Sequence, residues 1–153
     1  MFARRLISTI SQQPFPFSRI EEYADNGEAL EVQLEGVEHA KIRTEQAGVL
    51  KRYANFIPFN DPKATYSLGE GDTPLLEADA SLKAETGIEN LWIKDETRNP
   101  TGSFKDRGSL FCLWMADEMG ESALATVSTG NMGHSIAAYA ARSGKRALIF
   151  VPE

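Results

Sequence analysis

The spacing of apolar residues along this chain changes character near Gly87. Upstream, apolar positions are scattered among polar ones. Ser18–Glu35 mixes the two around a turn at Asp25-Asn26-Gly27, and "ALEVQLE" (Ala29–Glu35) predicts a short strand, so a small hairpin is expected. Gly36–Gln46 is polar and loop-like. "GVLKRYANFIPF" (Gly48–Phe59) has apolar residues near helical spacing and stops at Pro58. Ser67–Asp79 is predicted to be a loop, with two glycines and Thr73-Pro74. Ser81–Gly87 is predicted to be a short helix, with Ser81 as N-cap and Gly87 just past its end. Downstream, strands and helices alternate. Strands are expected at Asn90–Lys94, Ala123–Ser128 and Arg146–Val151, and helices at Phe104–Met119 and Asn131–Ser143, closed by Gly120 and Gly144. Three short apolar strands separated by two helices predict an α/β fold of right-handed βαβ units on a parallel sheet. The chain ends directly after a strand, which would leave such a sheet poorly covered, so the sequence reads as cut.

Composition narrows the classes. A length of 153 residues suits one compact domain. The net charge of -6, without a long basic block, argues against nucleic acid as the main partner. No apolar run approaches the ~20 residues of a membrane helix. The single cysteine, Cys112, cannot form an internal disulfide or a zinc cluster. It falls in an apolar helical pattern and is expected to be a small buried residue in a reducing compartment, the cytoplasm. His39 and His134 lack partner spacing for a metal, so no metal is expected. The first twenty residues carry three arginines, several serines and no acid. That composition matches a mitochondrial transit peptide, with a basic N-terminal arm as the competing reading. On either reading Met1–Pro16 is expected to be irregular or an isolated helix.

Two loops fall at the carboxyl ends of predicted strands, where ligands bind in open α/β sheets. In "NPTGSFKDRG" (Asn99–Gly108), Pro100 and Gly102 shape the backbone and Thr101 and Ser103 offer hydroxyls. Lys105 then falls in the first turn of a helix. The macrodipole mildly disfavours a cation there, and a lysine that attacks a carbonyl needs its neutral form. The competing reading is a solvated lysine beside Asp106 and Arg107. In "STGN" (Ser128–Asn131) successive N–H groups at a helix N-terminus can bind an anion. Gly130 permits close approach, and Asn131 adds a donor and an acceptor. The same stretch can simply cap its helix. Neither G-x-x-x-x-G-K-[ST] nor G-x-G-x-x-G is present.

Taken in order, "SLGEGDTPL", "LWIKDETRNPTGSFKDRG" and "STGNMGHSIAAYAARSGKRALIFVPE" resemble the N-terminal part of the threonine synthase family and its fold-type-II pyridoxal-phosphate relatives. The resemblance covers Arg52–Glu153. It implies pyridoxal 5'-phosphate as cofactor and an amino-acid substrate, with a homo-oligomer as one option. The implied reaction is conversion of O-phospho-L-homoserine and water to L-threonine and phosphate. Lys105 matches the lysine that carries the cofactor and shuttles protons, and Asn131 the residue that bonds the cofactor's 3-hydroxyl. Ser128, Thr129 and Gly130 match the loop that holds the substrate carboxylate, and Thr73 a motif near the site. Ser103 and Phe104 are expected to pack beside the lysine. The zinc-binding cysteines of some relatives have no counterpart here. On this resemblance, residues 1–47 form an N-terminal arm and hairpin region and residues 48–153 the first part of a catalytic region. The cofactor's phosphate loop and the partner of its pyridine nitrogen are expected beyond Glu153, so the 153-residue chain alone is expected to be inactive. Alternatives of the same fold are a threonine or serine dehydratase and a cysteate-synthase-like replacement enzyme. A further alternative is a truncated, inactive homologue acting as a binding protein.

Overall fold

A computed structural model describes residues 4–17, 23–37 and 39–152. The chain opens in a small antiparallel sheet. Strand β1 (Arg4–Ser8) lies between β2 (Pro14–Phe15) and β3 (Leu30–Leu34), with Leu6 opposite both Phe15 and Val32. Leu6, Ile7 and Ser8 are buried. This corrects the expectation of an irregular arm or isolated helix over Met1–Pro16, of which Met1–Ala3 lie outside the described residues. Composition registered the arginines and serines of this stretch. The strand partner lies more than twenty residues downstream and leaves no local periodicity to read. The turn at Asp25–Gly27 is present: Gly27 N–H donates to the Ala24 carbonyl at 2.8 Å, with Gly27 at φ 81°. The strand that follows takes β1 as its partner. Of the segment before the turn, Ser18–Glu22 lie outside the described residues.

The stretch expected to be helical over Gly48–Phe59 breaks into pieces. One turn, α1 (Val49–Arg52), is followed by a 3-10 turn at Ala54–Phe56. Pro58 disfavours helical backbone at the residue before it, and Ile57 is extended at φ -85°, ψ 120°. The segment stays anchored because Val49, Ile57 and Phe59 are buried in the main core.

The next two strands differ from expectation in partner and direction. β4 (Leu75–Glu77) lies within the stretch predicted to be a loop. After helix α2 (Ala80–Thr86), β5 (Trp92–Lys94) returns antiparallel to it, pairing Leu76 with Ile93. So β5 is not a member of the parallel sheet. A three-residue run shows no preference for parallel or antiparallel partners, and Pro74 with its flanking acids masks β4. The N-cap of α2 is Asp79, not Ser81: its carboxylate accepts Leu82 N–H at 2.8 Å. Aspartate caps as well as serine, and it stands two residues earlier. Gly87 ends the helix in the left-handed region at φ 70°.

The rest of the chain follows the alternation closely. Helix α3 (Lys105–Glu118) leads to β6 (Ala123–Val127), helix α4 (Asn131–Ser143) and β7 (Arg146–Phe150). β6 and β7 are parallel, Ala123 opposite Arg146 through Val127 opposite Phe150, with α4 as the crossover. The chain is thus α/β, with one parallel βαβ unit. α3 and α4 share a core of Leu110, Leu113, Trp114, Ile136, Tyr139 and Ala140, onto which Leu124 packs. Cys112 is exposed, contrary to expectation, because Leu113 and Trp114 take the inward face of α3. Among the described residues no helix is long and apolar enough to cross a membrane, and no group of three histidine, cysteine or acidic side chains is placed to hold a metal ion.

Candidate active site

The loop from β5 to α3 is built by short-range hydrogen bonds. Asp95 accepts Thr97 N–H at 3.2 Å and its hydroxyl at 2.5 Å, starting a 3-10 turn over Glu96–Arg98. Buried Asn99 donates to the Glu96 carbonyl at 2.8 Å and carboxylate at 3.0 Å, and accepts Gly71 N–H at 3.0 Å. Gly102 closes a turn onto the Asn99 carbonyl at 2.8 Å with φ 79°, a conformation that suits glycine. Ser103 is buried and accepts Lys105 N–H at 3.2 Å. The chain therefore enters α3 in one fixed geometry, with Lys105 as its first residue. The Lys105 amine lies over the Phe104 ring, 4.4 Å from its centroid, a cation–π contact.

Asp106 joins this loop to the second one. It is fully buried and accepts Thr101 N–H at 2.7 Å, Thr101 hydroxyl at 2.5 Å and Ser135 hydroxyl at 2.6 Å. The Ser109 and Ser135 hydroxyls are 2.7 Å apart. Every oxygen of the cluster is paired, as burial requires. Ser135 lies one helical turn beyond Asn131 in α4. The bond from Ser135 to Asp106 therefore ties α3, one residue past Lys105, to α4, one turn past Asn131.

The second loop is held mainly by Ser128. Its N–H donates to the Phe150 carbonyl of β7 at 2.9 Å. Its hydroxyl accepts Gly130 N–H at 3.2 Å and Gly133 N–H at 2.9 Å. That hydroxyl thus occupies donors at the α4 N-terminus that could otherwise face an anion. Gly133 is closely packed: a Cβ there would lie 3.0 Å from the Ile149 side chain, which would have to shift to admit it. Gly130 is extended, at φ -160°. Thr129, Gly130 and Asn131 are exposed.

Thr73 is committed elsewhere. It is buried, donating to Glu96 at 2.6 Å and accepting from Arg107 at 3.2 Å. Arg107 grips Glu96 with Nε at 2.7 Å and Nη2 at 2.8 Å, a bidentate pair. Arg107, followed by the Thr73 hydroxyl, holds the Glu96 carboxyl down at about 2. Arg107 stands two residues beyond Lys105, about 200° round the helix. This network borders a cavity of about 320 Å³, also lined by Arg52, Asp72 and Lys94. Sequence reasoning missed Glu96, Asn99, Asp106 and Arg107 as builders of the site. The signal was a dense run of polar residues around one loop, which carries no period. A second buried carboxylate, Glu70, accepts the Tyr139 hydroxyl at 2.6 Å and Ser67 hydroxyl at 2.8 Å, tying the 67–73 loop to α4. Burial, with Glu70 beside it, pushes the Tyr139 phenol far up, so it acts as a donor.

A strand–loop–helix unit with an N-terminal lysine packs beside a second strand–loop–helix unit, an α/β arrangement with a loop at the carboxyl end of each strand. The chain belongs to the pyridoxal-phosphate dependent enzyme family, whose pattern it matches over residues 66–153, more than half its length. It is 44% identical to a threonine synthase of Methanocaldococcus jannaschii over 117 residues, 76% of this chain and 28% of the relative. It is 44% identical to a threonine synthase of Bacillus sp. over 106 residues, 69% of this chain and 30% of the relative. A threonine synthase of Synechocystis sp. is 39% identical over 106 residues, 69% of this chain and 28% of the relative. The matched segment thus spans under a third of these relatives' length.

Proposed function

We propose that this chain contributes the lysine-bearing part of a threonine-synthase-like, pyridoxal-phosphate-dependent lyase site. The whole protein would convert O-phospho-L-homoserine and water to L-threonine and phosphate. The observation that carries this reading is the Asp106–Ser135 hydrogen bond, which joins the two helix N-termini that begin at Lys105 and Asn131. The likeness to threonine synthases supports it. The residues suit the cofactor. Among the described residues the Lys105 amine has no hydrogen bond or ion pair, only the Phe104 ring, and Asn131 and Thr129 are exposed beside an N-terminus that favours anions.

When bound, pyridoxal phosphate supplies an electron sink for negative charge on substrate carbons. Lys105 Nζ would hold the cofactor aldehyde and would supply the amine that moves protons at the substrate carbons. Asn131 would orient the cofactor ring through its side-chain amide. Exposed Thr129 and the Asn131 N–H would take the substrate carboxylate, while Ser128, whose hydroxyl already holds the Gly130 and Gly133 N–H groups, shapes the turn that presents them. Thr73 acts through Glu96 and Arg107 and not on substrate.

The test is threonine release from O-phospho-L-homoserine by a full-length polypeptide carrying this chain. Wild type forms threonine and phosphate in equal amounts, and Lys105→Ala forms neither. Formation of a 2-oxo acid from threonine instead would move the assignment to a dehydratase. Absence of both activities, with no cofactor bound, would favour an inactive binding protein.

A further inference from the structure

Two lysines flank the β5–α3 loop, and the structure treats their amines differently. Lys94 closes β5, and its amine donates to the Thr73 carbonyl from within the polar cavity. Lys105 opens α3 with its amine over an aromatic ring. Both are primary amines in range of the same loops, so something must decide which one meets an aldehyde.

The residue that holds Lys94 is itself held. The Thr73 hydroxyl donates to Glu96 and accepts from Arg107. The Glu96 carboxylate takes four donors: Thr73 Oγ1 and Arg107 Nη2 on one oxygen, Arg107 Nε and Asn99 Nδ2 on the other. The backbone of the 69–73 loop rests directly on this pair. A Cβ at Gly71 would lie 3.2 Å from Arg107 Nη1 and 3.1 Å from Val49 Cγ2, and Gly71 sits at φ +86°. Arg107 and Lys105 share the first turn of α3 on faces about 200° apart. Locking one face of that turn therefore fixes how the other face presents Lys105.

We propose that Glu96, Arg107 and Thr73 form a clamp that selects the reactive lysine: it keeps the Lys94 amine on the Thr73 carbonyl and fixes the α3 turn that offers Lys105. Glu96 and Arg107 are positioning residues. The inference rests on the role proposed for Lys105. It adds that the choice between two neighbouring amines is made by side chains that never touch cofactor or substrate.

The experiment uses pyridoxal phosphate as probe, with borohydride trapping and peptide mapping, on the 153-residue chain and on a full-length polypeptide carrying it. The amine nitrogen bonds the aldehyde carbon, the aldehyde oxygen leaves as water, and hydride reduces the C=N bond to a stable secondary amine. In wild type, label on Lys105 exceeds label on Lys94 by at least about tenfold, as expected when one amine is engaged and the other free. Glu96→Gln, Thr73→Val and Arg107→Lys each remove part of the clamp, the last by losing the guanidinium fork while keeping the charge. Each lowers the Lys105-to-Lys94 ratio at least about fivefold, while exposed Lys41 and Lys51 label as before. Thr73→Ser, which keeps the hydroxyl, recovers the ratio that Thr73→Val loses. A ratio unchanged in all three variants overturns the proposal. So does an equal gain at Lys41, Lys51 and Lys94, which would signify general loosening. Wild-type label absent from Lys105 is a different result: it overturns the functional reading itself.

Discussion

The loops 95–104 and 128–131 both run from the carboxyl end of a strand into the first turn of a helix, yet they are held in different ways. The first is fixed by two carboxylates with seven hydrogen bonds between them: four to Glu96 and three to Asp106. The second is held chiefly by one serine hydroxyl and one backbone bond to β7. The contrast matches what the proposed function asks each loop to present. A lysine with four rotatable bonds needs a rigid base if its amine is to meet one carbon. An exposed threonine and a backbone N–H at a helix start need only the turn that Ser128 sets. Preorganisation is therefore concentrated on the lysine side.

The sharpest way to break this contrast is at Asp106. Asp106→Ala strips the partner from Thr101 N–H and from two hydroxyls in a fully buried place. A loss of about 3 kcal/mol in urea unfolding is expected, with the two helix N-termini no longer joined. Glu96 comes next, and its effect depends on pH. Its carboxyl is lowered from 4.5 to about 2 in the folded chain. Its contribution is therefore complete above about pH 4.5 and is lost as pH falls through that value toward 2. The contribution is about 2 kcal/mol once screening of this partly exposed pair is allowed for. Stability measured from pH 6 to pH 2.5 should fall accordingly in wild type and more shallowly in Glu96→Gln. Ser128→Ala, on the loosely held loop, should cost about 1 kcal/mol, the usual loss for a capping hydroxyl. Lys105→Ala should change stability least, by under about 0.5 kcal/mol, while removing the dominant borohydride-trapped adduct and leaving only the minor label on other lysines. A large stability loss there would mean that the lysine is structural.

The sequence made the helical half of the molecule legible to within a residue or so. Asn131–Ser143 shows an alanine-rich period with a glycine on each side, and Leu110, Leu113 and Trp114 mark the inward face of α3. These signals are local, so they survive without knowledge of the fold. The sheets were less legible. β1 pairs with β3 across more than twenty residues, and β4 with β5 around a helix; neither partner is written in the strand itself. The candidate site divided in the same way. Lys105 and Asn131 stand out because each follows a strand and begins a helix. Asp106 and Arg107 entered the sequence reading only as neighbours of Lys105. Burial converts them into joints, and burial depends on partners as distant as Ser135 and Thr73. The same reasoning explains Ser128, whose hydroxyl could not be known to face inward onto Gly133 until the turn was built.

The central claim is that Lys105 and Asn131 belong to one site, and chemical protection at residue 131 tests it directly. In an Asn131→Cys chain, the alkylation rate of the new thiol is measured before and after pyridoxal phosphate is trapped on Lys105 with borohydride. Exposed Cys112 on α3 serves as an internal standard. The shared site predicts that trapping slows alkylation at position 131 by at least about tenfold, the effect of a group packed against the thiol, while Cys112 reacts as before. Equal alkylation at position 131 with and without the trapped group would place the two residues in separate surroundings and contradict the account.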